Sequence, residues 1–325
     1  MPQPTMAQSH VDAILTDISV AYMQKQEQFI ASKVFPVIPV DKKSNKYFVY
    51  TKNDWFRDEA QLRADSTESA GSGYNLTTAS YNADVWAFHK DVGDQTAKNS
   101  DVPLQPYREA TEFVTNRLLL RQEVQFQSDY FKTGVWATDY SGVASSATGN
   151  QFIQWSDFAN SDPLEDVEKA KEGILSTTGF QPNTLVLGYQ VYRKLKNHPD
   201  LVDRMKYTTS NTITTDIMAR LFDIDRVLVA SSVRATNNEG ATEAYGFNFG
   251  KGAMLVHSSP NPGLMTPSAG YTFAWKGVSD TLGATIGTSQ FRMESLKAER
   301  VEAEVAFDNK VVASDLGAYF GTVVA

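Results

Sequence analysis

The chain has 325 residues and a mass of 36.0 kDa, with 42% hydrophobic and 21% charged residues, an ordinary globular balance that can build one large core or two linked lobes. It contains no cysteine, which excludes disulfides, thiolate nucleophiles, thiolate metal sites and iron–sulfur clusters. A net charge of −8 and a pI near 5.1 argue against a dedicated nucleic-acid binder, which displays a concentrated basic surface, and no apolar run approaches the ~20 residues of a membrane helix.

Met1 to Tyr22 lacks the charged, apolar and small-residue regions of a secretory signal, so the product is expected to stay in the cytoplasm where it is made. The first ~40 residues read as an extended arm with short helical pieces, because Pro2, Pro4, Pro36 and Pro39 punctuate a sparsely apolar stretch. Phe35, Val37, Ile38 and Val40 are its anchors. Aromatic and β-branched residues from Tyr47 to Thr51, and again from Tyr81 to Val92, favour strands. The polar stretch between them, ending in Gly71-Ser72-Gly73, has no apolar face, so the whole reads as a long two-stranded excursion with a charged tip. A lone ribbon is marginal in water. It needs a partner surface, with Trp55, Phe56, Trp86 and Phe88 as anchors, unless these aromatics pack inside their own subunit. The carboxylates Asp54, Asp58, Glu59, Asp65 and Glu68, interleaved with Arg57 and Arg63, suggest ion pairs between subunits.

The longest helical pattern follows. Asp101 offers an N-cap, Pro103 and Pro106 fit only a first turn, and two apolar rows run through Ala110, Val114 and Leu118 and through Phe113, Leu120 and Val124 toward Phe131. Gly134 offers a stop, giving a helix of ~30 residues or roughly 45 Å. A loop-rich stretch precedes Asp162-Pro163-Leu164-Glu165, a strong helix start whose buried face is Leu164, Val167, Ala170, Ile174 and Leu175. The buried strand Thr184 to Leu187, a helix stopping near His198-Pro199, a helix from Thr215 to Phe222 and a strand from Arg226 to Ala230 form a compact α/β lobe. Strands at Ala253 to Val256 and Tyr271 to Trp275 follow. Val301, Ala303, Val305 and Phe307 then alternate with polar residues, Asp308-Asn309 makes a turn, and Val311 to Val324 returns as a strand.

No motif carries specific chemistry. His10, His89, His198 and His257 are far apart and lack the spacing of a helical zinc site. Gly250-Lys251-Gly252 is a fragment of a phosphate loop without its spacing and reads as a strand-entry turn; Gly71-Ser72-Gly73 reads as a flexible tip. Asp223-Ile224-Asp225 sits at a helix end, where Asp commonly satisfies backbone amides. Lys42, Lys43 and Lys46, and Arg193, Lys194 and Lys196, read as solvated faces. No catalytic residue, cofactor or metal site is expected.

The order of arm, long β excursion, very long helix, α/β lobe and C-terminal strands resembles the major capsid protein of tailed bacteriophages with the Hong Kong 97-type fold. Phe56-Arg57-Asp58-Glu59-Ala60 to Arg63-Ala64, and Pro182-Asn183-Thr184-Leu185-Val186-Leu187-Gly188 leading through Val191-Tyr192 to His198-Pro199, are similar to that family. The resemblance implies an α+β fold with an N-terminal arm at 1–45, an extended loop at 46–92, a peripheral domain with a spine helix at 93–179, an axial domain at 180–270 and peripheral return strands at 271–325. It implies a non-enzymatic subunit that self-assembles into pentamers and hexamers of an icosahedral head around double-stranded DNA, in the virion. The loop would overlie a neighbour, making Trp55, Phe56, Arg57, Asp58, Glu59, Arg63, Asp65, Glu68, Trp86 and Phe88 contact residues. Portal protein, non-specifically held DNA and a decoration protein are the other implied partners. With the excursion starting near Lys46, a cleaved internal scaffold has no room, so scaffolding is separate or absent; Lys52 and Lys310 are available for isopeptide cross-links, though nothing identifies one. Another self-assembling protein, tail or encapsulin-like, and a ligand-binding or enzymatic α+β protein stay open as alternatives.

Overall fold

A computed structural model describes residues 24–100, 104–205, 213–263, 266–278 and 286–325. A 3-10 turn at Gln26–Gln28 leads into α1 (Ala31–Val34), β1 (Val37–Val40), β2 (Ser44–Tyr50), α2 (Lys52–Trp55), β3 (Leu76–Asn82) and β4 (Asp84–Gly93). Next come α3 (Asp94–Lys98), the long α4 (Pro106–Tyr130), β5 (Thr138–Val143), β6 (Gln151–Ile153), α5 (Pro163–Thr178) and β7 (Thr184–Gly188). Then follow α6 (Tyr189–Leu195), α7 (Pro199–Met205), α8 (Thr215–Leu221), β8 (Arg226–Ala230), β9 (Val233–Ala235), β10 (Tyr245–Phe247) and β11 (Ala253–Val256). The chain ends with β12 (Gly270–Trp275), β13 (Gly287–Met293), β14 (Ala298–Val311), a 3-10 turn at Ser314–Leu316 and β15 (Gly317–Gly321).

A six-stranded sheet, ordered β6-β5-β15-β11-β7-β8, is covered on both faces. That is why β7 and β11 are unbroken apolar runs rather than alternating ones. Leu185, Leu187, Ala253 and Leu255 face a core built with α5 to α8. Val186, Met254 and Val256 face the C-terminal end of α4 and the segment around Phe35. The start of α5 is as the sequence predicts: the Asp162 carboxylate accepts the N–H groups of Leu164 and Glu165, both at 3.1 Å, Pro163 opens the helix, and Gly179 closes it at φ 74°. Leu175, predicted to be buried, is exposed. The helix before Pro199 stops as predicted, ending at Leu195, and Pro199 then opens α7, a position where its missing N–H costs nothing.

A second, five-stranded sheet is organised by β14, which pairs with β4 and β13 along its first half and with β12 at its end. Val301, Ala303, Val305 and Phe307 pack against Ala110, Val114 and Leu118 of α4. The predicted long helix is present but shorter, with 25 residues and a length of about 37 Å. Pro106 sets its start because proline holds the preceding residue out of the helical region, and Gln105 lies at φ −124°, ψ 82°. The cap expected of Asp101 and the turn position of Pro103 fall outside the described residues, as do Pro2, Pro4 and His10.

The turn predicted at Asp308-Asn309 is absent. The Asp308 carboxylate accepts the Asn82 N–H at 2.7 Å, while Asn309 accepts the Thr272 hydroxyl at 3.0 Å and donates to Asp129 at 3.1 Å. Both side chains are satisfied in strand conformation, so the Asp-Asn turn preference does not prevail. β14 therefore runs through, and the segment predicted as one return strand splits. β15 leaves for the six-stranded sheet, between β5 and β11. Residues 271–325 thus serve both sheets, as does the range 93–179, whose β5, β6 and α5 belong to the six-stranded side.

The segment before β2 is tied to the body as expected of Phe35, Val37, Ile38 and Val40. β1 adds in parallel to β12, and Phe35 is buried against Phe126, Tyr130 and Trp136. A further tie comes from Glu123, fully buried on α4. Its carboxylate accepts the N–H groups of Ile30 at 3.1 Å and Ala31 at 2.9 Å and the hydroxyl of Ser232 at 3.2 Å. Burial pushes its pKa up to about 7, against the lowering effect of those donors and of Lys33.

Candidate functional site

The ribbon expected between Tyr47 and Val92 has different strands from those predicted. β2 pairs with β3, from Ser44 opposite Asn82 to Tyr50 opposite Leu76, and this pair joins neither larger sheet through its hydrogen-bonded ladder. The stretch 84–93 leaves the ribbon at Ala83 and becomes β4 of the five-stranded sheet. Trp86 and Phe88 go with it. Trp86 lies under the Arg121 guanidinium, 3.9 Å from the ring centroid, and Phe88 packs on Phe113 at 5.9 Å. Both aromatic faces are half-buried against the helix of their own chain, so these two residues are separated from the other eight candidates.

Those eight lie on the loop joining β2 to β3. Every residue from 55 to 78 is exposed, including five large apolar side chains, Trp55, Phe56, Leu62, Tyr74 and Leu76. The neck is ordered by its own contacts. Tyr50, Trp55 and Tyr74 form a triangle of rings with centroids 5.7 to 6.2 Å apart. Asp54 accepts the backbone N–H of Asn75 at 2.7 Å and its side-chain amide at 3.1 Å, pinning the two sides together. Lys52 pairs with Asp315 of the body. The Phe56 ring lies beside Gly179, whose absent Cβ would sit 3.7 Å from it.

Beyond the neck the tip carries charge. Arg57 meets Glu59 at 3.6 Å, both exposed, and Arg63 donates to the Thr67 carbonyl at 2.6 Å within a turn that takes Ser66 to φ 59°. Asp58, Asp65 and Glu68 form no ion pair with any described residue. Such a surface contributes almost nothing to its own subunit: polar tip, apolar flanks and no core. The sequence pointed to Trp55 and Phe56 but missed Tyr50, Tyr74, Leu62 and Leu76. The aromatic spacing on either side of the polar run was the available signal.

The remaining candidates lie apart from the loop and are held by contacts within the chain. His198 is fully buried, its Nε2 3.0 Å from the Ser161 hydroxyl, and His257 Nδ1 lies 2.7 Å from the Gln181 carbonyl. Asp223 takes a left-handed φ of 50° and is held by Lys171 at 3.1 Å, while the Asp225 N–H donates to the Asn183 carbonyl. Gly252 enters β11, where any Cβ would strike Tyr319. Among the described residues no group of three or more His, Cys, Asp or Glu could hold a metal ion. No described helix is long and apolar enough to cross a membrane.

No family model matches the chain. Two curated relatives align almost end to end. One is the major capsid protein of Burkholderia phage BcepMu, 26% identical over 317 residues and 94% of each chain. The other is the major capsid protein of Pseudomonas phage JBD67, 24% identical over 318 residues and 97% of each. A phage-related protein of Bordetella bronchiseptica RB50 superimposes with TM-score 0.68, at 22% identity and over 92% of this chain and 93% of that one. The capsid of Cyanophage P-SCSP1u does so with TM-score 0.63, at 10% identity and over 96% and 92%. The chain has the Hong Kong 97-type capsid fold. The SrpI encapsulin of Synechococcus elongatus PCC 7942 shares that capsid fold, with TM-score 0.56 at 10% identity over 95% and 93%. Fold alone therefore does not separate phage heads from encapsulin shells.

Proposed function

We propose that this chain is a major capsid protein that builds a phage head by repeated contact with copies of itself. The observation that carries this is the end-to-end alignment with two phage major capsid proteins, over 94% and 97% of the chain. The loop from 55 to 78 supports it physically, since five exposed apolar side chains and three tip carboxylates, Asp58, Asp65 and Glu68, without an ion pair among the described residues make sense against a neighbour. Contacts between unlike surfaces close into rings. The finer reading has the five-stranded sheet and α4 as peripheral domain, the six-stranded sheet with α5 to α8 as axial domain, and residues 44–82 as extended loop. Pentamers and hexamers, an icosahedral head in the virion, DNA inside it, a portal, separate or no scaffolding and an added decoration protein belong to the same proposal. So do synthesis in the host cytoplasm and the absence of enzymatic activity.

Electron microscopy and sedimentation of the purified chain, with and without the other head proteins, test this. Closed particles or capsomers of uniform lattice are expected; monomers under every condition overturn it. An encapsulin-like shell is the second reading, supported by the likeness to SrpI. Particles formed in the infected host that enclose protein rather than DNA favour that second reading.

A further inference from the structure

Residues 1–23 lie outside the described residues, and the structure fixes where the chain enters from them. The Gln24 side-chain amide donates to the Val233 carbonyl and accepts the Val233 N–H at 2.9 Å, while Asn116 of α4 donates to the Gln24 carbonyl at 3.1 Å. The chain therefore arrives at the edge of the β9–β10 hairpin, which pairs with neither larger sheet. The Asn248 N–H donates to the Ser232 carbonyl at 3.0 Å and the Thr236 N–H to the Ala244 carbonyl at 2.9 Å. In an antiparallel pair this alternation turns the N–H and C=O of Val233 and Ala235 away from β10. Gln24 takes those of Val233, and those of Ala235 stay open on the same edge.

The hairpin also presents an apolar face. Val233 opposite Phe247 and Ala235 opposite Tyr245 share it, and Tyr189 at the start of α6 stacks on Phe247 with ring centroids 5.4 Å apart. Tyr245, Tyr189 and Phe247 are 67%, 41% and 37% exposed. So short a hairpin is marginal by itself, and three open rings together call for a cover. The sequence just before Gln24 has the matching pattern: Val11, Ile14, Leu15, Ile18 and Tyr22 recur at helical spacing, with Asp12, Thr16, Asp17 and Ser19 between them. A helix over 11–22 would be about 18 Å long, too short to hold without an apolar surface. Tyr22 is two residues from Gln24 and so within about 7 Å of it. That tether gives the chain's own segment an effective concentration in the millimolar range, ahead of any free partner. We infer that residues 11–22 cover the Tyr189–Tyr245–Phe247 face of their own chain as an amphipathic helix anchored by Gln24. The inference goes beyond the capsid reading and concerns the single subunit, whether or not particles form.

The chain has no cysteine, so paired cysteines report proximity without background. Ala235→Cys is combined in turn with Ile14→Cys, Ile18→Cys and Tyr22→Cys in the unassembled full-length chain, oxidised mildly and run on non-reducing gels. At least one pair is expected to close within the chain, at a rate unchanged by tenfold dilution. Disulfides that join two chains place the segment on a second copy and overturn the inference, as does the failure of every pair to close. Hydrogen exchange read by mass spectrometry is the second measurement. Tyr245→Ser with Phe247→Ser should speed exchange over residues 11–23 about tenfold, and Ile14→Asp with Ile18→Asp should uncover residues 243–248 in return. Phe291→Ser, an equally exposed ring on β13, should change neither. Exchange over 11–23 that is already unprotected in the wild type, or unmoved by loss of the two rings, overturns the inference.

Discussion

Replacing Glu123 with glutamine isolates the electrostatic cost of tying the N-terminal segment to α4. The carboxylate is fully buried and faces the N–H groups of Ile30 and Ala31, the Ser232 hydroxyl and, at longer range, Lys33. Burial raises its pKa from an ordinary 4.5 to about 7. Between these values the folded chain holds a proton that the unfolded chain has released. Stability therefore falls as pH rises through this window, is full below it and level above it. The span of about 2.5 pH units corresponds to about 3 kcal/mol. The substituted amide is neutral throughout, so any loss from its poorer fit is the same at every pH. Urea unfolding of the unassembled chain at pH 5 and pH 8 is the assay. The Glu123→Gln variant should improve relative to wild type by about 2–3 kcal/mol from pH 5 to pH 8, since pH 5 already lies inside the window. A difference that does not change with pH refutes the burial argument. Glu123→Ala strips two N–H groups and a hydroxyl of their acceptor and should cost about 3–5 kcal/mol at pH 5, with that cost shrinking at pH 8 by as much as the glutamine variant improves, since alanine does not titrate either.

Other expectations follow from single sites. Excising residues 57–73 for a short Gly-Ser link should leave the melting temperature of the unassembled chain within a few degrees while abolishing particles in electron micrographs, because no residue of that stretch is buried. Asp162→Ala removes the acceptor of two α5 N–H groups and should cost about 1 kcal/mol in urea unfolding. Gly188→Ala would place a Cβ 2.1 Å from the Gly250 carbonyl oxygen, so backbone must move; a loss of about 3 kcal/mol or insoluble expression is expected.

The layout was legible because it is written in period and length. The unbroken run at Thr184 to Leu187 and the alternation at Val301 to Phe307 announced a sheet covered on both faces and one covered on one face, and both exist. Pairing was not legible. Nothing local to Asp84–Gly93 says that it follows β14 rather than β2; that choice is made by Val301 to Phe307 and by α4, over two hundred residues away for the strand. Trp86 and Phe88 were misplaced for the same reason. The turn at Asp308-Asn309 failed because its polar side chains find Asn82, Thr272 and Asp129, partners that no local window contains. In the loop, charge and aromatic content were readable without any pairing, which is why Trp55, Phe56 and the acidic run could be placed on an exposed excursion.

The two sheets meet at Tyr130, and this joint sets how the subunit comes apart. Tyr130 is fully buried at the end of α4. Its ring packs on Phe35 and Phe126, its hydroxyl lies 2.9 and 3.1 Å from the carbonyls of Tyr271 and Lys310, and its own carbonyl accepts the Trp136 indole N–H at 2.9 Å. One side chain thus touches the N-terminal segment, β12 with β14, and the turn that leads into the six-stranded sheet. Tyr130→Phe leaves the packing and orphans one carbonyl, for a cost of about 1–2 kcal/mol with a single unfolding transition kept. Tyr130→Ala opens the joint itself and should cost about 3–5 kcal/mol. The two sides are unequal, since the α4 face of the five-stranded sheet has 8 buried apolar residues in its cluster against 23 on the α5 side of the other sheet, among the described residues. In the Tyr130→Ala variant the five-stranded side should therefore melt first, with the environment of Trp86 changing before that of Trp155. Coincident transitions at both tryptophans in that variant would show that β14 and α4 couple the sheets without Tyr130.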